Sequence, residues 1–107
     1  MSTPITEYKE VRCVFGGPDP GVPKLGEMFV FYDDKEPQGA EYLCPCGCGN
    51  SVYTPISSAE KPKDPHKWQY SNLKGPTISP SVRWICGCKA HFNITDGKVI
   101  IHGDSGH

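Results

Sequence analysis

The chain has 107 residues, a formal net charge of -1 at pH 7 and a hydrophobic content of 36%. A chain of this length forms one domain with a modest core, and its 12 Gly and 11 Pro favour turns over long helices. The near-neutral charge excludes the strong electrostatic attraction that is typical of nucleic-acid binding. The polar N-terminus does not resemble a signal peptide, and no apolar run is long enough to cross a membrane, so we expect a cytoplasmic protein.

Strand signals recur along the whole chain, whereas helix signals are weak. The candidate strands are 8–15, 27–32, the segments EYLC and NSVYTPI, 67–71, 75–86, and the runs AHFNI and KVIIH. The proline-rich stretch 16–26 predicts a loop between the first two strands. Asp96 and Gly97 separate the last two runs and predict a tight hairpin turn.

The two prolines of GPTISPSVRWIC restrict where that segment can lie. Proline has no backbone N–H, so Pro76 and Pro80 predict an edge strand or a strand end. Taken with the other strand signals, the sequence predicts a mainly β fold. We expect a single domain over 1–107, built as a small antiparallel sheet with long loops and stapled by a zinc site.

The zinc prediction rests on CPCGCGN at 44–50 and on a partial echo, ICGCKAH, at 85–91. In an extended chain, side chains two residues apart point to the same face, so each C-x-C pair can point at one ion. Two short ligand-bearing turns are the usual construction of a structural zinc site, although C-x-x-C is the commoner spacing. The candidate ligands are Cys44, Cys46, Cys48, Cys86, Cys88 and His91.

Two ligand sets remain open, because tetrahedral zinc takes four ligands. One set is all cysteine: Cys46, Cys48, Cys86 and Cys88. The other set pairs Cys88 with His91 as C-x-x-H and takes two cysteines from the first cluster. Disulfides are disfavoured in a reducing compartment, and Cys13 is interpreted as a small buried hydrophobe. No known catalytic motif is present, so no catalytic residue is assigned.

Several motifs together resemble a small metal-binding family of unknown function. They are CPCGCG, Trp68, GPTISPSV at 75–82, CKAHF at 88–92 and TDGKVI at 95–100, and the resemblance covers roughly 27–107. Members of that family occur in bacteriophages and in bacterial operons for ubiquitin-like conjugation. The resemblance implies ligands from Cys44, Cys46, Cys48, Cys88 and His91, and it does not include Cys86. In the C-terminal tail, Asp104 and His107 occupy the place of an Asp-Cys-Thr-His string.

Two functions follow as expectations. The first is a phage-type protein with structural zinc that acts as a protein-interaction or host-modulating module. Its partner would be a host or phage protein, and it would act in the host cytoplasm. The alternative is a metal-dependent hydrolase or an accessory factor in ubiquitin-like conjugation, with His102, His107 or Asp104 as base.

Nucleic-acid binding would use an aromatic surface, for which the sequence offers Trp68, Tyr70 and Trp84. The near-neutral charge argues against that interpretation.

Overall fold

The computed structural model describes residues 5–45, 47, 49–58, 66–83 and 91–101, without the side chains of Pro80, Ser81 and Arg83. Within these ranges the chain forms one eight-stranded sheet and no helix. The strands are β1 (Lys9–Val14), β2 (Glu27–Asp33), β3 (Glu36–Leu43), β4 (Ser51–Ser58), β5 (Trp68–Asn72), β6 (Pro76–Arg83), β7 (His91–Thr95) and β8 (Lys98–Ile101). The predicted mainly β fold is confirmed.

The strands lie in the sheet in the same order as in the sequence, and the sheet is mostly antiparallel, with two parallel pairs that the sequence did not predict. β1 pairs with β2 in parallel, as β4 does with β5, and the other five pairs are antiparallel. The connection 15–26 returns the chain to the start of β1 before β2 begins, so the two strands run in the same direction. The prolines of that loop were identified from the sequence, but its path across the sheet was not.

The sheet curls until its first and last strands meet. Glu7 forms an antiparallel bridge with Lys98, and the Val99 N–H donates to the Thr6 carbonyl at 2.9 Å. The curl encloses the hydrophobic core, to which alternate residues of the strands contribute. The largest side chains of that core include Tyr8, Tyr42 and Phe92, whose rings meet edge to face.

Burial of Tyr70 overturns the aromatic surface proposed for nucleic acid. Tyr70 is 4% exposed and belongs to the core, so its ring is not available to stack on a base. Trp68 is half-buried and packs against the same core, whereas Trp84 lies outside the described residues.

The predicted hairpin at Asp96 and Gly97 is confirmed. Both residues have positive φ, 52° and 82°, as a two-residue type I′ turn requires. A side chain at Gly97 would also lie 2.8 Å from the Tyr8 carbonyl, so glycine serves both the turn and the close approach.

The sheet contains an internal repeat of its pairing pattern. A parallel pair followed by two antiparallel pairs occurs first in β1 to β4 and again in β4 to β7. The register repeats as well. Tyr42 pairs with Val52 and Leu43 with Ser51 in the first half, and Val82 pairs with Phe92 and Arg83 with His91 in the second. Each residue number differs from its counterpart by 40, as 82 − 42 and 92 − 52 show.

The sequence predicted an edge strand or a strand end for the prolines, and β6 lies inside the sheet, between β5 and β7, so the strand-end alternative is the one that applies to Pro76. Pro76 is the first residue of the strand, where a ladder donor is dispensable. Pro80 lies where the register between β6 and β7 shifts, and a bulge is the other place that tolerates proline.

Candidate functional site

The ladder between β6 and β7 is interrupted by a bulge. Ile78 pairs with Ile94, and the next pair is Val82 with Phe92. Between these pairs β6 has three residues, 79–81, and β7 has one, Asn93. The extra residues leave backbone groups outside the ladder, and such bulges are common beside active sites. We call residues 79–81 the SPS bulge.

Polar side chains collect on the outer face of the sheet at the SPS bulge. Ile78 and Phe92 point into the core, 1% and 0% exposed, so their neighbours Ser79 and Asn93 face outwards. Ser79 is exposed, and Asn93 is half-buried. His91 lies two residues before Asn93 on the same face of β7 and is also half-buried. The bulge therefore brings a serine, an amide and an imidazole to one face.

The equivalent position in the first half is closed. There the ladder between β3 and β4 is regular, and Gly39 occupies the place of Ser79. Tyr53, the counterpart of Asn93, lies across Gly39, where an added Cβ would overlap the Tyr53 ring. Gly39 is buried as a result. The Tyr53 ring thus covers the position in the first half that corresponds to the exposed Ser79 in the second half.

Two described serines, Ser51 and Ser57, are less suited to act as nucleophiles. The Ser51 hydroxyl donates to the Glu41 carboxylate at 3.0 Å. The Ser57 Oγ is buried without a hydrogen-bond partner, so no substrate can reach it directly. Of the histidines, His66 is exposed before β5, whereas His91 lies beside the bulge. Among the described residues, the SPS bulge is therefore the best-suited place for a serine beside a histidine.

Most of the predicted metal ligands lie outside the described residues. These are Cys46, Cys48, Cys86 and Cys88, and also Asp104, His102 and His107 of the tail. Among the residues that the structure does describe, no group of three or more His, Cys, Asp or Glu side chains could hold a metal ion. The zinc site therefore stays a prediction.

Two predicted ligands are described, and they differ in environment. Cys44 follows β3, is fully buried and belongs to the core. Its N–H donates to the Asn50 carbonyl at 2.7 Å, and its carbonyl accepts from the Gly47 N–H at 3.1 Å. These bonds hold a turn that places Gly47 at φ 87°. His91, by contrast, begins β7 on the outer face.

Cys13 is only half-buried in β1, so its interpretation as a buried hydrophobe is corrected to a position on the outer face. Desolvation raises the pKa of its thiol, and the Glu41 carboxylate raises it further. A raised pKa keeps the sulfur protonated and poorly nucleophilic.

A polar cluster, in which Arg12 and Asn72 are exposed, lies at the end of the curl away from the cysteine turn. The Glu10 carboxylate accepts hydrogen bonds from the Tyr32 hydroxyl and, at 2.9 Å, from the Asn72 amide. The Arg12 guanidinium lies 4.0 Å from the centre of the Tyr32 ring. Burial, followed by the bond to Glu10, raises the pKa of Tyr32 to about 12. The neutral phenol is therefore the form that the cluster stabilises.

In the described part of the chain, no helix is long and apolar enough to cross a membrane. No curated protein and no solved structure shows significant similarity to the chain.

A family model does match. The family described as "Bacterial ubiquitination-like system serine protease (BubE)" matches residues 18–102, which include β2 to β8, the bulge and both cysteine clusters. This confirms the resemblance to a family of bacterial ubiquitin-like systems, while the zinc and the phage occurrence stay predictions. Because the match spans most of the sequence, the chain belongs to the family of the bacterial ubiquitination-like system serine protease BubE.

Proposed function

We propose that the chain is a serine hydrolase that cleaves bonds formed by the ubiquitin-like protein of a bacterial ubiquitination-like system. The family match over residues 18–102 is the observation that carries this proposal. It favours the second of the two expected functions, in a form that uses a serine rather than a metal-bound water. The SPS bulge is the place where the described residues best fit such chemistry.

A serine of the bulge, Ser79 or Ser81, would be the nucleophile, and His91 the general base. The imidazole takes the hydroxyl proton while the serine oxygen attacks the carbonyl carbon of the scissile bond. Collapse of the tetrahedral intermediate breaks the bond to the leaving amine or alcohol, which takes the proton from the imidazolium. Water then hydrolyses the acyl-enzyme by the same exchange and releases the carboxylate.

The irregular backbone of the bulge supports this assignment. A tetrahedral intermediate needs hydrogen-bond donors that are not already used by a sheet ladder. Three residues opposite one take backbone groups of the bulge out of the ladder with β7, although Pro80 has no N–H to supply. Asn93, opposite the bulge, has a side-chain amide that can donate as well.

The test is cleavage of the system's ubiquitin-like protein carrying a C-terminal aminomethylcoumarin. We expect Ser79→Ala or Ser81→Ala, whichever removes the nucleophile, to lower kcat by about 10³-fold or more, and His91→Ala to do the same. Ser57→Ala is the matched control, since its hydroxyl is buried elsewhere, and it should keep full activity. Full activity in both bulge variants would contradict the assignment.

We also propose that zinc holds the two cysteine turns. The connections 44–50 and 84–90 join equivalent strand pairs and carry Cys-Gly-Cys at matching places, 46–48 and 86–88. The repeat therefore favours the all-cysteine set. Cys44 and His91 do not recur, because their counterparts in the repeat are Trp84 and Ser51. Four thiolates suit a closed structural zinc site.

Metal analysis and X-ray absorption test this ligand set. We expect one zinc per chain with four sulfur ligands, and unfolding when a chelator removes it. Replacement of Cys46 or Cys86 by Ser should lower zinc content, whereas Cys44→Ala and His91→Ala should keep it. A nitrogen ligand that disappears in His91→Ala would instead establish the set with three cysteines and one histidine.

A further inference from the structure

One row of residues crosses the outer face of the sheet at the SPS bulge. Gln69 of β5 pairs with Ser79, and Asn93 of β7 pairs with Ile100 of β8. Ser79 and Asn93 lie on neighbouring strands at the interruption of the ladder between β6 and β7. The row therefore runs from the amide of Gln69, through the candidate site, to the aliphatic side chain of Ile100.

Ile100 is the apolar member of this row. Its side chain is 57% exposed on the outer face, whereas its neighbour Val99 turns inwards and packs against the core. The other large hydrophobic side chains that are exposed in the described ranges lie in the first half, at the β5–β6 turn or, for Ile101, on the inner side of β8. Within those ranges, Ile100 is thus the residue of this class that lies beside the bulge.

An open cleft of about 620 Å³ lies beside Ile100. Its lining combines aliphatic and polar side chains with charges of both signs: Val99, Ile100, Thr95, Lys74, Lys98 and Asp96. Opposite charges also meet where the curl closes, since Lys98 is bridged to Glu7. Because these charges offset one another, the cleft suits an apolar side chain better than an ion.

The strand that carries Ile100 has no counterpart in the first half. The repeated pattern of one parallel and two antiparallel pairs ends at β7, and β8 follows it. The backbone of β8 helps to close the curl, since the Val99 N–H donates to the Thr6 carbonyl. That role does not depend on the outward side chain at residue 100. Closure of the curl therefore does not explain an exposed isoleucine beside the bulge.

We propose that Ile100 and the cleft beside it form a specificity subsite, which binds an apolar side chain of the ubiquitin-like protein near the scissile bond. The inference rests on the proposed function, because it requires that cleavage occurs at the SPS bulge. The acyl portion of the substrate is the occupant, since the ubiquitin-like protein is the part that all substrates of such an enzyme share.

Strand spacing indicates which substrate residue reaches Ile100. Ile100 lies two strands from the bulge, and neighbouring strands are about 4.8 Å apart, so the separation is about 10 Å. An extended chain advances about 3.3 Å per residue. A substrate that crosses β7 from the bulge therefore places about its third residue before the scissile bond over Ile100. Burial of an aliphatic side chain there strengthens substrate binding.

Steady-state kinetics with the coumarin substrate tests the subsite. Ile100→Ala should raise KM about tenfold and leave kcat nearly unchanged, because the contact is equally strong in the ground state and in the transition state. Leu73→Ala is the matched control, since Leu73 is 93% exposed at the β5–β6 turn, and it should leave KM unchanged. An unchanged KM in Ile100→Ala, or an equal rise in both variants, would overturn the proposal.

Variation of the substrate tests specificity at the same place. In the coumarin substrate, the third residue before the scissile bond is changed to Leu or to Glu. The unaltered enzyme should cleave the Leu form with a kcat/KM at least about tenfold higher. Ile100→Lys should reverse this preference, whereas Leu73→Lys should keep it. Equal cleavage of both forms by the unaltered enzyme would overturn the proposal.

Labelling with a small fluorophosphonate separates this proposal from the proposed function. The probe does not extend to β8, so Ile100→Ala should be labelled on the bulge serine at the same rate as the unaltered enzyme. Normal labelling with an unchanged KM would reject the subsite and keep the hydrolase. Absence of labelling at the bulge of the unaltered enzyme would reject the hydrolase, and the subsite with it.

Discussion

The two halves of the sheet share a strand frame and differ in the ladder between their last two strands. Both halves pair their last two strands in the same register, 40 residues apart, and bury aromatic or aliphatic side chains on the inner face. In the first half the ladder is regular, and Tyr53 covers Gly39. In the second half the SPS bulge interrupts the ladder, and Ser79 is exposed opposite Asn93.

This difference indicates where a repeated scaffold became specialised. The order of parallel and antiparallel pairs and the register at the ends of the last two strands are kept in both halves. A bulge and an uncovered serine contribute nothing to packing, so their presence in one half needs another reason. The proposed hydrolase site supplies that reason, and the first half serves as an internal control for it.

The largest expected effect comes from closing the second half as the first is closed. Asn93→Tyr should place a ring over the bulge, as Tyr53 lies over Gly39. We expect kcat/KM for the coumarin substrate to fall by at least about 100-fold, because displacement of reacting groups by an ångström has effects of that size. The Tm should change little, since the site is on the outer face.

Tyr53→Asn is the matched variant in the first half. It uncovers Gly39 and should leave hydrolysis unchanged, since no serine lies beneath the ring. Equal loss of activity in both variants would mean that the two outer faces are not functionally different.

The next prediction, of intermediate size, is a change in the free energy of unfolding when a hydrogen bond in the core is removed. The first half contains a buried hydrogen bond between the Tyr42 hydroxyl and Thr54 at 2.8 Å, whereas Ile94 occupies the place of Thr54 in the second half. Thr54→Val should lower the free energy of unfolding by about 1–3 kcal/mol, because it leaves the buried phenol without its partner. Urea denaturation measures the change.

The control is Ile94→Val, which removes one methylene and should cost about 0.5–1.5 kcal/mol. Adding Tyr42→Phe to Thr54→Val should recover part of the loss, because no polar group then stays unpaired. A double variant less stable than either single variant would show that packing, rather than the hydrogen bond, dominates.

The smallest expected effect is on the loss of stability at alkaline pH, and it arises from Tyr32 in the polar cluster. The pKa of Tyr32 is raised to about 12 in the folded chain, so the folded state holds its proton over a range in which the unfolded chain releases it. This contribution to stability is present below about pH 10, the ordinary tyrosine pKa, and is lost as the pH rises towards 12. Tyr32→Phe should flatten the fall in urea midpoint over that range.

Local sequence signals predicted local structure well. Asp96 and Gly97 predicted a hairpin because two consecutive positive φ values suit few other residues. A compact apolar run located β2, and alternating apolar residues located the last two strands. The parallel pairs were missed, because strand direction depends on the path of a loop and leaves no mark within the strand.

The candidate site was predicted only in part. His91 was singled out as a metal ligand, and the structure places it beside the SPS bulge; the ligand assignment stays a prediction, because Cys86 and Cys88 lie outside the described residues. Pro80 was the one sequence signal of an irregular strand at this place, because proline inside a strand implies an edge or a bulge. The sequence could not decide between them, since the neighbour β7 is joined to β6 only by long-range pairing.

Mapping the covalent adduct of a fluorophosphonate probe tests the central claim most directly. The probe reacts with an activated serine, and tandem mass spectrometry identifies the modified residue. The account predicts a single adduct on Ser79 or Ser81, abolished by His91→Ala and by Asn93→Tyr and retained in Tyr53→Asn. An adduct on a serine outside the SPS bulge, or no adduct on a chain that cleaves the coumarin substrate, would contradict it.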